Sequence, residues 1–232
     1  SDVCSSDLGF DATAWLTVKD GVPVEGIARI SGLSETGLGL SGDLTAQFAL
    51  PGLNAISISL TSLQLQVPGL TITGSGGGLQ FDGSRVISHL PSIEVDGLAL
   101  GEVLKPHLPD SKLIRILTTN QPTMTAQNVK LDWTPDQAPS IMADINSFEI
   151  QAGHSIPHVG PIAGDLFIDG SRGWFDFEAE SATFSLPEIF PQPWAGQALS
   201  GTLALDRTDD GLLLRGQSLR VMSDVQDIRG TL

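Results

Sequence analysis

Residues Ile162 to Leu205 read IAGDLFIDGSRGWFDFEAESATFSLPEIFPQPWAGQALSGTLAL, and their rhythm decides the fold class. A short strand is expected from Asp165 to Asp169, a turn at Gly170-Ser171-Arg172-Gly173, and a longer strand from Trp174 to Leu186. In the longer strand Phe175, Phe177 and Ala179 fall on one side, and Trp174, Asp176, Glu178 and Glu180 on the other. Alternation with period two marks a sheet with one apolar and one polar face. Leu186-Pro187-Glu188-Ile189-Phe190-Pro191-Gln192-Pro193 then stops the ladder, because proline has no N–H to donate. A new strand starts at Leu199-Ser200-Gly201-Thr202-Leu203.

The same rhythm extends outward in both directions. Phe10, Ala12, Ala14, Leu16 and Val18 alternate, and Asp20-Gly21 follows as a hairpin turn, since glycine accepts positive φ. Leu44-x-Ala46-x-Phe48-x-Leu50 faces away from Asp43, Thr45 and Gln47, with a turn expected at Pro51-Gly52. Ile56-x-Ile58-x-Leu60 and Leu63-x-Leu65-x-Val67 have opposite parity, so one extra residue near Thr61-Ser62 predicts a bulge. Ile141-Ala143-Ile145 giving way to Phe148-Ile150 predicts another. Bulges bend and twist a strand, which suits a sheet curling into a trough. Gly74-Ser75-Gly76-Gly77-Gly78 reads as a loose turn and not a phosphate loop, because no Lys-Ser/Thr pair and no helix follows it.

One stretch has helical spacing. Leu100, Val103, Leu104 and Leu108, then Leu113, Ile114 and Leu117, recur every three to four residues between Leu98 and Thr118. Pro106 and Pro109 break it into two pieces, with Asp110 or Ser111 to cap the second. In all, about thirteen strands are expected in an antiparallel meander. Ser41-Gly-Asp-Leu44, Ala163-Gly-Asp-Leu166, Ser200-Gly-Thr-Leu203 and Arg229-Gly-Thr-Leu232 echo one another at uneven intervals.

Composition narrows the function classes. With 27 acidic against 12 basic residues the net charge is −15, which repels nucleic acid and offers no polybasic handle for an anionic membrane surface. Cys4 alone makes no internal disulfide. The opening SDVCSSDL resembles translated read-through of a sequencing adapter, so residues 1–8 are set aside. The expected organisation is then a first β segment over 9–97, a helical insert over 98–120 and a second β segment over 121–232, cut short at its end.

Gly164-x-Leu166, the turn before Trp174, Leu186-Pro187-x-Ile189-Phe190-x-x-Pro193, and Leu199-Ser200-Gly201-x-Leu203 followed by Asp210-Gly211-x-Leu213 carry a resemblance. In order and spacing they resemble the YhdP group of AsmA-like bacterial envelope proteins. The likeness is clearest from about Pro122 onward and general between Phe10 and Asn120. It implies a segment of a long periplasmic protein anchored in the inner membrane. It also implies a hydrophobic β-groove that carries phospholipid towards the outer membrane.

No set of residues reads as a catalytic or metal centre. His154-Ser-Ile-Pro-His158 has i,i+4 spacing, but Pro157 forbids the helix that spacing needs. Glu178 and Glu180 share a wet strand face without a cleft. No serine sits in a Gly-x-Ser-x-Gly elbow. Neither enzyme activity nor cofactor is expected. Trp15, Trp133, Trp174 and Trp194 fit a lipid path and sheet ends equally well.

The expected fold is mainly β: a large curled antiparallel sheet forming an elongated open groove, with a short helical insert. Acyl chains need only a dry, non-directional wall. The wall positions are Leu44, Phe48, Ile56, Ile58, Phe175, Phe177, Leu203 and Leu205. The partners are then a phospholipid or other acyl lipid and neighbouring segments of the same long chain. Two readings stand against this. One is a closed structural or adhesive β-domain with no ligand. The other is an enzyme on a β-scaffold, which needs a convergent acidic cluster. An elongated one-sided trough favours lipid, and a compact sandwich favours the closed domain.

Overall fold

The structure, a computed structural model, describes residues 8–52, 55–109, 111–135, 137–153, 156–185, 192–208, 211–222 and 227–231. The first half holds β1 (Leu8–Lys19), β2 (Val22–Glu35), β3 (Leu40–Gly52), β4 (Ala55–Val67), β5 (Leu70–Gly74), β6 (Gly78–Phe81) and β7 (Val86–Asp96). Two helices follow, α1 (Gly97–Leu104) and α2 (Lys112–Asn120). The second half holds β8 (Thr123–Trp133), β9 (Ser140–Ile150), β10 (His158–Asp169), β11 (Arg172–Ser185), β12 (Trp194–Thr208), β13 (Gly211–Met222) and β14 (Asp227–Gly230).

The described residues form fourteen strands in one antiparallel sheet, and each pairs with the next in the chain except β5 with β6. β5 and β6 share one row between β4 and β7, so the fourteen strands fill thirteen rows. The meander follows from tight turns. Asp20 (φ 53) and Gly21 (φ 81) both take left-handed backbone in the β1–β2 hairpin, as its two-residue turn requires. The helices do not divide the sheet, because β7 and β8 pair from Val86↔Trp133 to Asp96↔Thr123.

Register puts every apolar alternation on one face. Phe175 stands beside Leu166 and Leu203; Leu166 stands beside Ala143. At the other end Ala28, Ala46 and Leu60 align. This is the inner face. The outer face carries Asp43, Gln64, Gln127, Asp144, Asp165 and Asp176 in the corresponding rows.

Both expected bulges are present. Thr61 is the extra residue where Thr45↔Ser62 gives way to Ala46↔Leu60, and Asn146 where Thr125↔Ser147 gives way to Ala126↔Ile145. They belong to a longer series. Gly32 in β2, residues 75–77 between β5 and β6, Asn128 in β8, and register shifts in β10, β11 and β13 continue the line across the sheet. Side chains secure it: the Gly32 N–H donates to Asp43 Oδ1 at 3.1 Å, and Asn128 Nδ2 donates to Asp144 Oδ2 at 2.6 Å. Because each bulge bends its strand, a row of them perpendicular to the strands folds the sheet lengthwise into a gutter.

The echoed glycines belong to this fold line. Gly42, Gly164 and Gly201 take φ of 159°, 155° and 159°, and each lies next to a register shift. A Cβ on Gly42 would overlap the Gln64 carbonyl oxygen, and one on Gly164 the Asp176 carbonyl oxygen. Small residues also floor the line: Ala46, Ala126, Ala143 and Ala182 are 6% exposed or less, though the described residues form no second sheet over them. They are buried by taller side chains leaning in from both flanks, which is the packing of the inside of a curve.

Among the described residues the sheet does not close: β1 pairs only with β2, and β14 only with β13. The accessible surface is 14775 Å², against roughly 10,000 Å² for a compact protein of this mass. Among the described residues no large side chain falls below 2% exposure. A closed sandwich would show the opposite on both counts.

Several local expectations are corrected. Residues 74–78 are not a chain reversal, since β5 and β6 run in the same direction; they form an interruption pressed against β7, where a Cβ on Gly74 would come within 2.6 Å of Pro91. Pro51 and Gly52 remain in β3, where the ladder skips from Ala49 to Gly52, so the missing proline N–H interrupts nothing. β10 begins at His158 and β12 at Trp194, earlier than the apolar alternation alone implied. The helical stretch is two helices, as its prolines implied, and of the two expected caps Ser111 serves α2, accepting from Leu113 N–H at 3.2 Å. Ser1–Asp7, Cys4 among them, together with His154, the Leu186–Pro191 run, the Asp209-Asp210 turn and Leu232 lie outside the described residues.

Candidate functional site: the apolar trough

The eight expected wall residues share the inner face. Phe48 pairs with Ile58, and Leu44 lies four residues back along β3 on the same face. Ile56 and Ile58 pair with Phe81 and Leu79. Phe175 pairs with Leu203; Phe177 faces Gly201 and Leu205 faces Gly173. Seven of the eight are half-buried and Ile56 is 39% exposed. Phe175 and Phe177 stack at 5.9 Å between ring centres.

These positions form two groups, on β3–β4 and on β11–β12, about 29 Å apart across six rows at ~4.8 Å each. The floor between them is what the sequence reading missed. Leu79, Leu90, Leu131, Ile145 and Leu166 carry the apolar surface from one group to the other. Each lies in an apolar alternation visible in the sequence. Only the strand order shows that the alternations join.

The continuity of this face is its chief property. From Ala12 on β1 to Leu205 on β12, the paired inner positions are hydrocarbon or glycine almost throughout. Ser88 in β7 interrupts the middle, and Glu35 closes the end of β2. Among the described residues no charged side chain stands in the floor between these rows. Such a surface is kept half-open because a single curved layer covers itself only partly.

The four tryptophans divide between the faces. Trp133 pairs with Val86 and Trp194 with Phe184 on the inner face, near opposite ends of the strands. Trp15 and Trp174 are on the outer face, where Trp174 leans on Phe167 at 5.8 Å.

The trough has two unlike rims. At one, the turns before β7 and β11 and the ends of β8 and β12 hold cross-strand ion pairs. Arg85 grips Asp132 with two arms, Nε at 2.7 Å from Oδ1. Arg215 bonds Asp206, and Arg172 approaches it at 3.8 Å. The guanidinium hydrogen bond holds the Asp132 carboxyl below its usual range, and backbone N–H groups of Arg85 and Ser84 do the same for Asp82. At the other rim sit α1 and α2, which pack on each other at Gly101. Asn120, 2% exposed, ties them to the β9–β10 connection by donating to Gln151 O at 3.1 Å and Gly153 O at 3.0 Å.

Glu178 and Glu180 are both exposed on β11; Glu178 pairs with Ser200 on the outer face. Among the described residues, no three of His, Cys, Asp and Glu gather closely enough to hold a metal ion. No helix among them is long and apolar enough to cross a membrane.

A family model described as YhdP protein matches residues 8–232. No curated protein and no solved structure matches the chain.

Proposed function

The chain belongs to the YhdP family of bacterial envelope proteins, and on that premise we propose that it shields lipid acyl chains in its trough while they cross the envelope. The observation that carries this reading is the nearly continuous hydrocarbon face on an open, single-layer sheet. A soluble protein rarely leaves more than a few hundred Å² of contiguous apolar surface uncovered. Here about thirteen rows leave theirs half-open along roughly 60 Å.

The dimensions suit the cargo. A bilayer's hydrocarbon core is about 30 Å for two leaflets, so one acyl chain is about 15 Å long and lies easily within the trough. Transfer needs no bond to be made or broken, so the assigned role is a non-catalytic conduit with no cofactor. The cargo is a phospholipid, moving between inner and outer membranes through a periplasmic segment of an inner-membrane-anchored protein. Neighbouring segments of that protein continue the trough.

The test is bound lipid. Phe177→Asp and Phe48→Asp each place a charge on the inner face while leaving backbone pairing intact. Lipid copurifying with the chain, quantified by mass spectrometry, should fall by at least about tenfold, because a carboxylate against hydrocarbon costs more than about 1.4 kcal/mol. Equal lipid in wild type and both variants, with the sheet signature retained in circular dichroism, rejects the conduit.

A further inference from the structure

We infer that the outer face carries a second binding site, for an uncharged pyranose saccharide, on an aromatic strip that crosses β9 to β12. Four neighbouring strands each place one apolar side chain there. Met142 pairs with Phe167, Phe167 with Trp174, and Trp174 with Ala204. On a sheet whose other face already supplies the apolar wall, these positions should be polar. Instead Met142 is 48% exposed and Trp174 39%. Register sets a polar row on each side of the strip, about 7 Å away along the strands. One row includes Asp165, Asp176 and Thr202; the other is led by Asp169, Arg172 and Asp206. A cavity of about 690 Å³ opens over the strip, lined by Phe167 and Trp174 and by members of both rows. That volume is in the range of small-molecule sites.

A pyranose ring presents C–H bonds on its flat faces and hydroxyls around its edge. The C–H face suits an aromatic platform, whose ring face is electron-rich. The hydroxyls both donate and accept, so they need partners of both kinds. Asp169 and Asp176 accept, Arg172 donates, and Gln217 does both; all four line the cavity. Thr202 Oγ1 donates to Asp176 and Arg215 bonds Asp206, which orders two carboxylates before a ligand arrives. An anion is disfavoured, because three aspartates line the cavity against one arginine. An organic cation would meet Arg172 as a like charge. Trp15 gives the contrast: it too stands on the outer face, 61% exposed, yet it lines no part of this cavity. The site lies across the sheet from the trough, so its occupancy does not depend on the acyl-chain reading.

The experiment titrates the intact, isotope-labelled chain with triacetylchitotriose, with maltotriose and with choline, following the four indole N–H signals by NMR. The Trp174 signal, assigned by its loss in Trp174→Phe, should move with at least one trisaccharide and saturate with a Kd of about 1 mM. The Trp15 signal should stay in place, and choline should move neither. Measured by calorimetry, Trp174→Ala should weaken the saccharide at least about tenfold, as truncating an aromatic anchor does. Trp174→Phe, which keeps a ring, should weaken it by less. Phe48→Asp, on the trough side, should leave saccharide affinity unchanged. The assignment is overturned if neither trisaccharide moves the Trp174 signal, if choline moves it instead, or if Trp174→Ala binds as wild type with its sheet signature retained in circular dichroism.

Discussion

Gly164 and its neighbours show how single residues shape the trough. Its φ of 155° and the overlap any Cβ would make with the Asp176 carbonyl oxygen leave room for no side chain. Gly164→Val should therefore destabilise the chain by about 2 kcal/mol or more, read as a lower denaturation midpoint. A valine at exposed Thr13 of β1 should shift the midpoint by no more than about 0.5 kcal/mol. At Phe177 the expectation is reversed. The side chain is half-buried on an open face, so Phe177→Asp should cost bound lipid far more than stability. The alternation of Phe175 and Phe177 was plain in the sequence. The meaning of Gly164 was not: a Gly-Asp-Leu echo marks repetition, but the carbonyl that excludes a Cβ lies on another strand.

Elements are held by a few specific bonds. α1 and α2 hang from the sheet through Asn120, whose amide nitrogen satisfies two carbonyls while buried. Asn120→Ala should cost about 1–3 kcal/mol, because both carbonyls lose their donor. Faster amide exchange should be confined to α2 and the β9–β10 connection. At the far edge Arg220 and Arg229 both bond Asp227 and pull its carboxyl to about 2, below the usual 3.8. A depressed carboxylate pKa contributes stability that is complete above the unfolded value and is lost as pH falls through the folded one. The β13–β14 pairing should thus persist at pH 4 and loosen only towards pH 2, with an Asp227 NMR titration midpoint near 2. Asp227→Asn should remove that midpoint and quicken amide exchange in β14 at neutral pH. The helical stretch was legible from its three-to-four spacing and its prolines. The latch was not, because Asn120 lies 31 residues from Gln151 in the chain.

For the whole molecule, openness is the property that matters. A compact chain of this length has a radius of gyration of about 17 Å; thirteen rows in one sheet should raise it above about 20 Å, measurable by small-angle scattering. A value near 17 Å, indicating closure, would leave no trough for a lipid to enter. The free edge at β1 exposes Phe10, Trp15, Leu16 and Val18 beside unpaired backbone. Such edges recruit other strands. Trp15→Lys should reduce concentration-dependent association without changing bound lipid, since Trp15 points to the outer face.

Period-two hydrophobicity, two parity changes and tight-turn residues by themselves determined that this chain forms a curled antiparallel sheet with one apolar face, because each of those signals acts within a few residues of backbone. Which apolar runs lie side by side, the alignment of bulges into one fold line, and the contrast between a charged turn rim and a helical rim were decided only by the tertiary structure. Those features arise from strands far apart in sequence. Their register is set by the whole ladder of cross-strand bonds, and no short window of sequence contains it.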